Sequence, residues 1–80
     1  MYYVYLIRSI NNPDKTYIGC TENLEKRLSN HNCGTTPHTA KYMPWKVVSY
    51  AAFPDKDKAV AFEKYLKSGS GREFAKKRLW

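Results

Sequence analysis

The sequence predicts a small α/β (α+β) sandwich with its elements in the order ββαβαα. Three observations carry that expectation. The chain has 80 residues, enough for two packed layers in one domain (1–80) but not for a barrel enzyme or a dinucleotide-binding fold. It opens with two short β-type runs, separated by a short turn-forming cluster. Apolar residues at helical spacing recur in the later segments. A hydrophobic content of 42%, with 15% aromatic residues, argues against disorder.

Tyr2 to Arg8 alternates with period 2 and is rich in aromatic and β-branched residues, so it forms the first strand. Asn11-Asn12-Pro13-Asp14 makes a turn longer than a two-residue hairpin. Thr16 to Thr21 is the second strand, antiparallel to the first because the link is short. Thr21 or Asn23 caps a helix to about His31, with Glu22 and Glu25 near its positive end. Asn32 to Pro44 carries Gly34, Pro37 and Pro44 and is expected to be a loop. Trp45 to Phe53 is the third strand, and Asp55 or Asp57 opens a second helix to about Ser68. Gly69-Ser70-Gly71 is expected to break the chain before a short basic helix from Arg72 to Leu79.

Charge narrows the partner. Fourteen Lys+Arg against 7 Asp+Glu give a formal net charge of +7, which favours a polyanion such as nucleic acid over an anionic membrane surface. The N-terminus has neither the basic start nor the cleavage site of a signal peptide, and no run approaches the ~20 apolar residues of a membrane span. A cytoplasmic protein with reduced Cys20 and Cys33 is the expectation. Cys20, His31, Cys33 and His38 lack the paired short spacings of structural zinc sites.

Several residues sit where a bare scaffold would not ask for them. Tyr5 and Tyr17 fall on one face of the paired strands, either as an ordinary cross-strand pair or as part of a site. Gly19, inside a strand, marks close approach by a ligand or another backbone. Leu24, Leu28 and His31 form an apolar-side stripe, and Arg27 stands one turn before His31 beside it. Two readings stay open there. Arg27 snorkels while His31 serves as a C-terminal cation, or both face a site. Glu63 lies on the side of Ala59, Phe62 and Leu66, with Lys67 at i+4. It is either a surface ion pair or a carboxylate held for a hard cation.

With those residues in view, the chain resembles the GIY-YIG nuclease family. The first motif is Tyr3-Val4-Tyr5 and the second Tyr17-Ile18-Gly19. The segment from Leu24 to His31 is similar to the family helix with its arginine and histidine, and Glu63 matches the metal-binding glutamate of the later helix. The similarity runs over nearly the whole chain and is nearest to small stand-alone bacterial members of the excinuclease C-like type. Tyr3 stands where the family motif has glycine, and Cys20 where some relatives have lysine. The stretch Gly71 to Arg78 contains no asparagine, where many members have one, and Arg72 or Lys67 would compensate.

The resemblance implies a three-stranded antiparallel sheet flanked by helices and a DNA endonuclease with a one-metal mechanism. Glu63 would hold Mg²⁺ or Mn²⁺ on the scissile phosphate. Tyr5, with Tyr17 beside it, would activate or orient the water, and Arg27 would stabilise transition-state charge. His31 would hydrogen-bond the phosphate or the water chain. Lys76, Lys77 and Arg78 are assigned non-specific backbone contacts, and Arg27, Lys67 and Arg72 complete the set expected to bind nucleic acid. The chain has no room for a separate targeting domain, so cutting is expected to follow DNA structure, or a second copy or partner protein supplies specificity. The competing reading is a nucleic-acid-binding module, on DNA or RNA, or a member of a repair complex that does not itself cut.

Overall fold

In the computed structural model, which describes residues 1–80, three antiparallel strands form one sheet in the order β2-β1-β3. They are β1 (Tyr2–Ser9), β2 (Thr16–Thr21) and β3 (Trp45–Phe53). Central β1 is covered on both faces, and Val4, Tyr5, Leu6 and Ile7 are each at most 1% exposed. Alternation splits these four between two layers. Val4 and Leu6 meet Ala59, Leu66 and Ala75 on one side, whereas Tyr5 and Ile7 meet Trp45, Leu24 and Leu28 on the other. The expected sandwich is the observed one, with β2 and β3 as its free edges.

Helix α1 (Leu24–Asn32) is capped by Asn23, whose side-chain oxygen accepts from the Lys26 amide at 3.0 Å. Its last residue, Asn32, bonds both the amide and the carbonyl of Trp45, tying the helix end to the start of β3. The stretch expected as loop contains a helical turn, α2 (Pro37–Ala40). Pro37 supplies a preset φ in its first turn, and the Thr36 carbonyl accepts from the amides of Thr39 and Ala40. The element order is thus ββααβαα.

Helices α3 (Lys56–Lys67) and α4 (Gly69–Arg78) cover the opposite face. The expected break over Gly69-Ser70-Gly71 contracts to Ser68 alone, and both glycines are helical. Ser68 Oγ accepts from the Gly71 amide at 3.2 Å and caps α4. Gly71 lies so close to the Tyr65 carbonyl that a side chain there would collide with it. Its role is close approach between the two helices rather than termination.

Candidate active site

Tyr5 and Gly19 are paired across β1 and β2. A Cβ on Gly19 would stand 2.6 Å from Tyr5 Cζ and closer still to the hydroxyl, so the bare glycine is what lets the ring lie across the edge strand. The hydroxyl ends 2.9 Å from His31 Nε2. His31 is fully buried at the end of the α1 stripe, and its Nδ1 lies 2.6 Å from Thr39 Oγ1. Thr39 is held in turn by α2, its hydroxyl 3.3 Å from the Thr36 carbonyl and its own carbonyl accepting from Trp45 Nε1 at 2.8 Å. Donation from Thr39 to Thr36 makes the threonine oxygen the acceptor for His31 Nδ1–H. Nε2 is then the acceptor for the tyrosine proton.

Tyr17 is half-buried, with its ring centroid 5.2 Å from that of His31 and 6.3 Å from that of Tyr5. The three rings form one cluster on the α1 face. Burial, reinforced by Tyr17, pushes the Tyr5 phenol well above its ordinary range, against the pull of Arg27. Burial also lowers His31, and the positive charge of Arg27 adds to this. Both effects favour a neutral Tyr5–His31 pair at neutral pH. The ring nitrogens of His31 are taken up by Tyr5 and Thr39 rather than by the C-terminal carbonyls of α1.

Glu63 comes from the other face. Its side chain is 22% exposed and its carboxylate accepts from Lys67 Nζ at 2.8 Å, so the i,i+4 pair is formed. Glu63 and Arg27 both lie close enough to Tyr5 and Cys20 to bias their ionisation. The two layers therefore meet around the β2 edge. Lys56, Glu63 and Lys67 fall at i, i+7 and i+11, on one stripe of α3. Helical rise sets the Glu63 backbone ~10 Å from that of Lys56 and ~6 Å from that of Lys67 along the axis.

Two grooves lie at the two ends of β2. The first is lined by Cys20, Thr21, Asn23, Arg27 and Lys56. The second is lined by Thr16, Tyr17, Lys67, Arg72 and Trp80. Burial, then Glu63, raises the Cys20 thiol, which keeps it protonated. Lys76, Lys77 and Arg78 are exposed on the last turn of α4 and line neither groove.

Of the residues singled out in the sequence, Tyr5, Tyr17, Arg27, His31 and Glu63 are brought to this one edge. Lys67 and Arg72 join them. Two contributors were missed. Lys56 was legible, because it shares the helical stripe of Glu63. Thr39 was not, since its reach to His31 depends on a helical turn in a stretch that carries only loop signals.

No group of three or more His, Cys, Asp or Glu is gathered anywhere in the chain. A metal held by protein ligands alone is therefore a poor fit. A hydrated Mg²⁺ or Mn²⁺ fits better, since a single half-buried carboxylate can anchor it while water and phosphate oxygens fill the remaining positions. No helix is long and apolar enough to cross a membrane.

A family model described as the GIY-YIG catalytic domain matches residues 1–78. The structure-specific endonuclease subunit SLX1 of Debaryomyces hansenii is 39% identical over 72 residues, covering 81% of this chain and 21% of that protein. The chain thus spans about a fifth of that relative's length. A UPF0213 protein of Clostridium perfringens is 38% identical over 69 residues, covering 84% of this chain and 71% of its own. The solution structure of the UPF0213 protein BH0048 from Bacillus halodurans superposes with a TM-score of 0.56 at 26% identity, covering 99% of this chain and 87% of that one.

Proposed function

The chain belongs to the GIY-YIG family, and from that premise we propose that it is a metal-dependent DNA endonuclease selecting DNA structure rather than sequence. The observation that carries this reading is the meeting of the neutral Tyr5–His31 pair with Arg27 and Glu63 at the β2 edge. Likeness to a structure-specific endonuclease subunit supports the choice of substrate class.

In this reading the scissile phosphate sits between the two grooves, with the exposed Arg27 guanidinium pairing its oxygens and taking up charge as the transition state forms. Tyr17 orients a water against the phosphorus. As that water attacks, its proton passes to the Tyr5 oxygen while the Tyr5 proton passes to His31 Nε2. Tyr5 then need not exist as a free phenolate, which its burial disfavours. Thr39 is a positioning residue that fixes the imidazole tautomer. A hydrated Mg²⁺ or Mn²⁺ anchored by Glu63 would supply positive charge to the phosphate and to the leaving 3′ oxygen. The P–O3′ bond breaks, leaving a 5′ phosphate and a 3′ hydroxyl that takes its proton from solvent.

The bond between Lys67 and Glu63 favours a second reading, in which the carboxylate is neutralised and the chain binds nucleic acid without cutting it. Incubation with supercoiled plasmid, branched DNA, single-stranded DNA and RNA separates the two. Nicking that requires Mg²⁺ or Mn²⁺, stops with chelator and disappears in Glu63→Ala supports the enzyme. Binding with no metal-dependent cleavage of any substrate supports the module.

A further inference from the structure

The second groove holds more than a phosphate contact requires. It encloses about 430 Å³, the size range of a small-ligand site, and it begins beside Tyr17 where the proposed chemistry ends. Its chemistry is mixed in a particular way. Lys67 and Arg72 supply cations, whereas Ile18 and the Trp80 indole supply apolar surface over the buried Leu66 and Ala75. A groove that only tracked a sugar–phosphate backbone would have little use for the indole.

Trp80 is half-buried and packs against the Val4–Leu6 core, with the Arg8 guanidinium 5.4 Å from its ring centroid. The indole is therefore fixed before any ligand arrives, which lowers the entropic cost of stacking on it. Paired bases in a duplex are already stacked and cannot enter. An unpaired nucleotide can, with its base on the ring and its phosphate toward Arg72 and Lys67.

We propose that the groove between β2 and α4 is a subsite for one unpaired nucleotide of DNA, adjoining the site of cleavage, and that it selects substrates carrying a single-stranded nucleotide beside a duplex. The subsite rests on the nucleic-acid reading above and gives a physical origin for structure selectivity. Lys67 links the two sites, since the same ammonium that bonds Glu63 also lines the groove.

The test is binding, read without cleavage. The full chain is titrated in Ca²⁺ with three fluorescent DNAs: a blunt duplex, the same duplex with a short 3′ or 5′ single-stranded extension, and that extension with its first nucleotide abasic. The expected result is tighter binding to an intact extension than to its abasic version by about five-fold or more, the lower end for one base stacked on an aromatic ring. Trp80→Ala should abolish that preference while leaving blunt-duplex affinity unchanged. Because Trp80 also packs on the core, Arg72→Gln serves as a second variant. It alters an exposed residue and should weaken both extended DNAs more than the blunt one.

Equal affinity for intact and abasic extensions would overturn the subsite, as would an equal loss on all three DNAs in Arg72→Gln. The nuclease reading fails separately. A base-dependent preference in a protein that never cleaves in Mg²⁺ or Mn²⁺ would retain the subsite and remove the enzyme.

Discussion

The Tyr5 hydroxyl lies 2.9 Å from His31 Nε2, across 26 residues of sequence and between the central strand β1 and helix α1. Neither side chain is free to act alone, because burial disfavours the charged form of each. A pair that works as one unit has a kinetic signature. Tyr5→Phe and His31→Gln should each lower the rate of cleavage by ~10²-fold or more. The double variant should lose little beyond either single one. Multiplicative losses in single-turnover assays would mean independent roles.

Gly19 provides the space that this pair occupies. Gly19→Ala places a methyl group against the Tyr5 hydroxyl, and the buried ring has little room to retreat. Overpacking of this kind costs about 1–3 kcal/mol. The melting temperature should fall, and cleavage should fall further than the stability change explains. Full cleavage by a folded Gly19→Ala protein would remove Tyr5 from the reaction.

The pH dependence of stability follows from the direction of the His31 shift. Its pKa is lowered in the folded chain, so the unfolded chain binds the proton more readily below the ordinary value of 6.5. Stability from this group is fully present above 6.5 and is lost as pH falls from there toward the folded pKa. Thermal melts from pH 8 to 5 should show that decline, and His31→Gln should flatten it. Cleavage should hold its rate below pH 6.5 for the same reason, until His31 is protonated. Thr39→Val should shift the acid limb of that rate profile, which a merely structural threonine would not do.

Much of this arrangement was legible in the sequence because it follows local periodicity. Strand alternation placed Tyr5 and Tyr17 on one face, and helical spacing set His31 on the buried stripe of α1. What Gly19 accommodates was harder to see: a glycine in a strand signals close approach without naming the group, which is the Tyr5 ring. Thr39 lay beyond reach, since its partner is eight residues away through a helical turn in a stretch that carries only loop signals. Gly71 misled because glycine serves both as a helix stop and as a point of close packing, and only the position of Tyr65 decides between them.

The +7 charge divides by location. Lys76, Lys77 and Arg78 lie outside both grooves, and in the nucleic-acid reading proposed above they are assigned contacts with backbone phosphates. Replacing all three by Gln should flatten the slope of log K against log salt by about 2–3, while leaving the single-turnover rate at saturating protein unchanged. An unchanged salt slope would place DNA elsewhere on the surface.

The most direct test of the central claim is cleavage of branched DNA by Glu63→Gln, measured beside its DNA affinity. Gln keeps the size of the side chain while removing the charge that would anchor the metal. The expected result is cleavage below detection in Mg²⁺ and Mn²⁺, with affinity in Ca²⁺ within a few-fold of the original. Cleavage by Glu63→Gln at the original rate would contradict the account.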